Sequence, residues 1–167
     1  TGVMDGRLPA TGNLDVVNTT GFTGTIQTST FVLFATGTFT HAGGTLSVTG
    51  ISGGFDVGAA TVTASMTSSA AGSFTFDSLT LSGSTLAKGT SSLTIQGAFT
   101  ASGGDLTSTS GTVSVTGNVN ISSATSAIDF GSEAWTVSGT WTNASTDGTV
   151  WEAGTGSILF DSATGGT

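Results

Sequence analysis

Residues 93–120 read LTIQGAFTASGGDLTSTSGTVSVTGNVN and contain one phrase twice. Leu93-Thr94-Ile95-Gln96-Gly97 is followed by Ala98-Phe99-Thr100, and Val113-Ser114-Val115-Thr116-Gly117 by Asn118-Val119-Asn120. In each pentad the apolar and polar residues alternate, which puts the apolar pair on one face of a strand and the polar pair on the other. The closing glycine permits a bend where a side chain would obstruct, and a second short strand starts at once. The two glycines are 20 residues apart, a spacing that suits one coil of a stacked repeat.

The phrase spreads in both directions. Leu46-Ser47-Val48-Thr49-Gly50, Leu79-Thr80-Leu81-Ser82-Gly83 and Trp135-Thr136-Val137-Ser138-Gly139 repeat it, and Leu33-Phe34-Ala35-Thr36-Gly37 is a degenerate copy. Phe39 and Trp141 follow their glycines as Phe99 and Val119 do, so the pattern is an internal repeat. Phe74-Thr75-Phe76, Ala127 to Phe130 and Ile158 to Phe160 are further strand candidates. They share an ending, Phe76-Asp77-Ser78, Phe130-Gly131-Ser132 and Phe160-Asp161-Ser162. Residues 1–12 have no alternation and carry the single proline, Pro9, so they read as a terminal arm or cap ahead of one β-rich repeat domain over 13–167.

Composition fixes the class. Gly, Ser and Thr make up roughly half the chain, apolar residues remain plentiful, and helix formers are scarce, so the protein is expected to be all-β. Two architectures compete. A parallel β-solenoid, or β-helix, stacks like residues in columns and explains the repetition of side-chain type. An antiparallel β-sandwich or jelly roll needs no columns, but it tolerates the uneven spacing of the glycines, which are 13 residues apart from Gly37 to Gly50 and 33 from Gly50 to Gly83. In that alternative His41-Ala42-Gly43-Gly44 and Ser102-Gly103-Gly104-Asp105 make hairpin turns, and the amino-terminal arm or the adjoining Asn13 to Asn18 exchanges as a strand between subunits. The columns favour the solenoid.

Ten carboxylates face only Arg7 and Lys88, giving a net charge of −8. Phosphate neutralisation needs clustered Lys and Arg, so nucleic acid is excluded as a partner. There is no run of about 20 apolar residues, which argues against membrane insertion. The first residues do not form a signal peptide, so a secreted protein would already have lost it. With no cysteine, stability must come from backbone ladders and burial. Few trypsin-type sites and Asn-x-Ser/Thr sequons at Asn18, Asn120 and Asn143 point to an extracellular, cell-surface or virion-surface location and mark glycosylation candidates.

The segment Gly139 to Asp161, GTWTNASTDGTVWEAGTGSILFD, and with it Phe74 to Gly117, resembles the Gly/Ser/Thr-rich tandem repeats of secreted bacterial, archaeal and phage surface proteins, which are thought to form parallel β-helices. The resemblance implies an adhesin-like or structural role. It carries over no functional residues.

No catalytic constellation is expected. Glu133, Asp147 and Glu152 lie near three tryptophans, a combination suited to sugar clefts, yet Trp135 and Trp141 have the parity of core positions. Lys88 reads as a loop residue and His41, beside Gly-Gly, as a solvated one. Asp77, Asp129 and Asp161 near strand ends are read as turn formers rather than calcium ligands. Neither metal nor cofactor is expected. Trp141 and Trp151 are the candidate binding residues, for glycans or other surface proteins. The outward pairs Ser47/Thr49, Thr80/Ser82, Thr94/Gln96, Ser114/Thr116 and Thr136/Ser138 would align in a solenoid as a hydroxyl ladder that could order water, as an ice-binding face does. The leading expectation is a non-enzymatic structural subunit whose main partner is itself, in a filament, sheath or stalk. Strong strands almost free of edge Lys and Pro leave edge pairing unblocked.

Overall fold

A computed structural model describes residues 2–3, 8–10, 14–16, 25–28, 32–51, 53–146 and 155–161. It is an all-β parallel solenoid whose described strands stack on three faces. Every strand pairing among the described residues is parallel, which no antiparallel sandwich allows.

The first face stacks β2 (Leu8–Ala10), β5 (Val32–Ala35), the first half of β8 (Gly54–Val62), the first half of β10 (Ser73–Leu81), β12 (Ser92–Ile95), β15 (Thr112–Val115), β17 (Ala134–Val137) and β19 (Ser157–Phe160). The second face stacks β3 (Leu14–Val16), β6 (Phe39–His41), the second halves of β8 and β10, β13 (Phe99–Ala101), β16 (Val119–Ile121) and β18 (Trp141–Asn143). The third face is the six-stranded sheet β1 (Gly2–Val3), β4 (Thr25–Thr28), β7 (Thr45–Val48), β9 (Ser65–Ser68), β11 (Thr85–Gly89) and β14 (Asp105–Ser108). Within residues 1–18, the stretches 2–3, 8–10 and 14–16 thus pair inside their own chain, with β4, β5 and β6.

This arrangement explains the uneven repeat. Leu93–Gly97, Val113–Gly117 and Trp135–Gly139 are first-face copies of the pentad, whereas Leu79–Gly83 lies on the second face and Leu46–Gly50 on the third. The pentad is a strand-plus-corner unit that any face can use. Intervals that looked irregular are steps between different corners, within one coil from Gly37 to Gly50 and across more than one from Gly50 to Gly83. His41 to Gly44 and Ser102 to Asp105 are likewise corners from the second face to the third, not hairpins, with Gly44 and Gly103 at φ of 70° and 106°.

One further expectation is corrected at the corner from the first face to the second. Three residues, 96–98, separate the inward Ile95 and Phe99, but only Asp77 and Ser78 separate Phe76 and Leu79. With that residue missing, Phe76-Asp77-Ser78 does not end a strand, and β8 and β10 run unbroken for 9 residues across both faces. Ala127 to Phe130 is not a strand either. Only Ile128 bridges to Leu106, because Asp105 Oδ1 takes the Ala127 N–H at 2.9 Å and Asp129 Oδ1 closes a turn on the Gly131 N–H.

The core is a set of columns. Leu33, Phe55, Phe74, Leu93, Val113 and Trp135 stack on the first face, and Leu46, Met66, Leu86 and Leu106 on the third, all buried. Phe55 and Phe74 lie 5.9 Å apart and nearly parallel, a geometry that contributes about 0.5–1.5 kcal/mol beyond area burial. Outward positions carry mainly Thr and Ser, with Asp56 and Asn120 and a few apolar residues such as Phe34, Ala87 and Leu159 among them.

Candidate functional site

The least expected feature lies inside the coil. Thr85, Leu86, Ala87 and Lys88 alternate out and in, so Lys88 shares the inward parity of Leu86 and is fully buried. A register shift between Ala87 and Gly89 makes Lys88 the extra residue of a bulge against β14. Its Nζ meets Glu133 Oε2 at 2.6 Å, with both side chains wholly shielded from solvent. It also donates to the carbonyls of Ser91, at 2.7 Å, and Ser110, at 2.9 Å. Glu133 accepts from Ser108 Oγ on Oε2, at 2.6 Å, and from Trp135 Nε1 on Oε1, at 2.9 Å.

All three ammonium protons and both carboxylate oxygens therefore have partners. A buried charge pair is tolerable only on those terms, because desolvation of two ions outweighs their attraction when lone pairs or protons are left over. The pair spans three coils, with Lys88 in one, Ser108 and Ser110 in the next and Glu133 in the third. Below it the polar vein continues: Ser68 Oγ and Ser91 Oγ lie 2.7 Å apart, and the Ala70 carbonyl is within reach of both, so one hydroxyl donates to the other and the second donates to the carbonyl. The Lys88–Glu133 pair at its centre is closed to solvent. Lys88 is thus neither a loop residue nor isolated from other charges, and Glu133 is part of the packing. Asp147 and Glu152 lie outside the described residues.

His41 is also corrected. Phe39 points inward, so His41 two residues on does too, and it is fully buried on β6. Nε2 donates to the Ser65 carbonyl at 2.9 Å, which leaves Nδ1 as the lone-pair nitrogen, buried and without a partner. Burial lowers its pKa below the usual histidine value, and the bond to Ser65 offsets this only in part. Protonation would put a charge and an unmatched N–H into the core. Since the folded-state value lies below the unfolded one of about 6.5, this group's contribution is fully present above that pH and is lost as pH falls toward the folded value. In His41→Leu, which matches the Val62 and Leu81 that follow in the column, the stability lost between about pH 7 and pH 5 should shrink. Urea melts of both proteins at the two pH values measure it. An unchanged difference would sink the idea.

The candidate binding and modification residues are scattered. Trp141 is half-buried at an inward position and packs with Phe130, Trp135 and Phe160 at centroid distances of 6.0, 5.9 and 6.3 Å. Trp151 and Asn18 lie outside the described residues. Asn120 is exposed in the middle of β16, and exposed Asn143 accepts the Ser145 N–H at 2.8 Å. Asp77 and Asp161 are exposed on the first-face side while Asp129 belongs to the third-face turn, so the three aspartates are not brought together. Among the described residues, no three His, Asp or Glu side chains gather as a metal site.

The five hydroxyl pairs do not form one ladder, since they are divided among three faces. A different column is the regular one. Thr40, Thr61, Thr80, Thr100, Asn120 and Thr142 follow in register up the second face, with no charge among them. The first face offers the shorter run Thr75, Thr94, Ser114 and Thr136, which ends at Leu159.

In the last described strand the inward positions become partly exposed. Val115 and Val137 are fully buried, yet Phe160, the next residue of that column, is 54 % exposed, and Leu159 beside it is 60 % exposed. Phe160 rests edge-on against Trp141. No protein-family model matches this chain, and no curated protein or solved structure is similar to it.

Proposed function

We propose that this chain is a non-enzymatic structural protein of an extracellular surface, a rod-forming subunit of a filament, sheath or stalk that assembles with copies of itself. The observation that carries this reading is the parallel ladder, which runs through every described coil and whose last described strand exposes Leu159 and Phe160. An in-register ladder of this kind resists extension, because its backbone bonds and side-chain columns are loaded together. The last described strand, Ser157-Ile158-Leu159-Phe160, carries neither the Lys nor the Pro that natural edges use to block joining, whereas β2 carries Pro9. The burial of Lys88 supports an exterior location, because one of only two trypsin-type residues is sealed in the core. The resemblance of Gly139 to Asp161 to the repeats of secreted surface proteins agrees with it.

Electron microscopy and light scattering of the purified chain over a concentration series test the proposal. Filaments or sheets that grow with concentration are expected. Monomers throughout, at every concentration, would overturn it.

The threonine column favours a second reading, contact with a flat lattice such as ice. Adjacent strands repeat at about 4.8 Å, and from Thr40 to Thr142 the column has neither charge nor aromatic ring, with Asp15 next to Thr40 at its start. Thermal hysteresis and recrystallisation assays decide this. Unaltered ice growth in the presence of folded protein removes it.

A further inference from the structure

We propose that Lys88 and Glu133 condense into an amide, a side-chain crosslink that joins the coil of Lys88 to that of Glu133 across the coil between them. The ion pair is the form in which the chain folds, and stability measured on freshly folded protein refers to it. The crosslink grows from that pair with time.

The argument starts from how the two groups are held. Nζ of Lys88 lies 2.6 Å from Oε2 of Glu133, and both side chains are wholly shielded from solvent. The carbonyls of Ser91 and Ser110 fix the nitrogen in place, at 2.7 and 2.9 Å. Such fixing replaces a chance encounter in solution by a reaction between neighbours. The two carboxylate oxygens are held by different donors. Ser108 Oγ donates to Oε2, the oxygen beside the amine, and Trp135 Nε1 donates to Oε1.

The step balances without a co-reactant. A proton passes from Nζ to Oε2 along their contact, which leaves an amine and a carboxylic acid. The nitrogen lone pair then adds to Cδ of Glu133, and negative charge collects on Oε1, where the Trp135 N–H already points. The bond from Cδ to Oε2 breaks, and that oxygen takes a second proton from the nitrogen and departs as water. Of the three ammonium protons two leave with the water and one stays on the amide. Nothing is oxidised or reduced.

Burial sets the direction. In water the separate ions are favoured because each is hydrated, whereas inside the coil neither is, and a neutral amide removes both charges from a site where desolvation is their main cost. The amide N–H still donates to the carbonyl of Ser91 or Ser110, Oε1 keeps its bond from Trp135, and Ser108 Oγ turns to the Gly89 carbonyl, 3.5 Å away. Lys88 and Glu133 are 45 positions apart, so the amide closes a long loop in a chain that has no cysteine to close one with a disulfide.

The full chain, kept folded and sampled over days for its intact mass, tests the proposal. The mass is expected to fall by that of one water molecule in folded protein and to stay constant in protein held in denaturant. Cleavage beside aromatic residues, with Phe99 and Phe130 between the two sites, should then release one branched peptide that contains both Lys88 and Glu133. Lys88→Met should keep its full mass. Trp135→Phe places in the column a residue type that it already holds at Phe55 and Phe74, so circular dichroism should be unchanged. Closure in that variant should slow about 100-fold, the effect of removing one donor from a developing oxyanion. A folded chain that keeps its full mass throughout, or a loss of water that maps elsewhere than to Lys88 and Glu133, would overturn the crosslink. Closure of Trp135→Phe at the parent's rate would overturn the part given to the indole.

Discussion

Lys88→Met is expected to destabilise the fold by about 3–5 kcal/mol at neutral pH, the cost of leaving a buried charge without its partner. Methionine fills much of the volume of the lysine stem, so the loss is electrostatic and not one of packing. Glu133 keeps its bonds from Ser108 and Trp135 but loses the ammonium, and the carbonyls of Ser91 and Ser110 lose their donor. The second substitution decides the interpretation. In Lys88→Met/Glu133→Gln the charge has gone from both sides, while the amide oxygen can still accept from Ser108 or Trp135. That variant should regain most of the stability lost by the single change. Chemical denaturation of the parent, both single variants and the pair, run as a double-mutant cycle, measures it. If Lys88→Met costs less than about 1 kcal/mol, or if the double variant is worse than the single by the full cost of a second independent lesion, the buried pair is not the unit described.

A chain of stacked coils has reason to contain such a pair. Apolar columns specify that residues face inward, but they discriminate weakly between one coil and the next, because Leu, Val, Ile and Phe recur at equivalent positions. A lysine that must find one glutamate two coils on, through Ser108, admits a single register. The polar vein thus serves specificity where the repeat itself is permissive, in the way a lone polar residue fixes the register of a coiled coil. The resulting charge pair lies beside Trp135, so it also anchors the aromatic layer of Phe130, Trp135 and Trp141.

How much of this could be read in the sequence depended on whether the residue type agreed with its parity. At Leu93 to Thr100 and Val113 to Asn120 alternation, glycine and spacing all pointed to a coil, and those strands and their corner are where the pattern put them. Lys88, His41 and Glu133 had the same inward parity, two residues from Leu86, Phe39 and Trp135 respectively. Their polar character outweighed the alternation, although a strand this regular offers no way to turn one side chain outward without a bulge. Alternation was the signal that could have found them, and the bulge at Ala87 to Gly89 was not foreshadowed by it. Pairing of Lys88 with Glu133 was out of reach, because it depends on which coil lies above which. The exposure of Phe160 was hidden for a similar reason, since Phe160 is followed by Asp-Ser as Phe76 is, and only stacking tells a covered position from an uncovered one.

The pentad glycine gives the second large effect, and it separates two roles that look alike in sequence. Gly117 stacks on the corner of the coil beneath, and a Cβ there would lie 2.6 Å from the Gly97 carbonyl carbon, 2.7 Å from its oxygen and 2.9 Å from the Ala98 nitrogen. All three are backbone atoms held by their own ladder, so no side chain can swing aside and the coils must separate. Gly83, which closes the second-face pentad, has open space around its Cβ position but a φ of 80°. Alanine at Gly83 therefore meets only the left-handed backbone penalty of about 1–2 kcal/mol. Gly117→Ala should cost about 3 kcal/mol or more, the upper end of what overpacking a rigid contact produces. Hydrogen exchange supplies the second readout, because Gly117→Ala should lower protection at Val119–Ile121 and Trp141–Asn143 ahead of Phe39–His41, whereas Gly83→Ala should leave that ranking unchanged. Equal destabilisation by the two substitutions would mean that the corner of the first face can open without cost. The close stacking of coils along that edge would then not be what makes glycine necessary there.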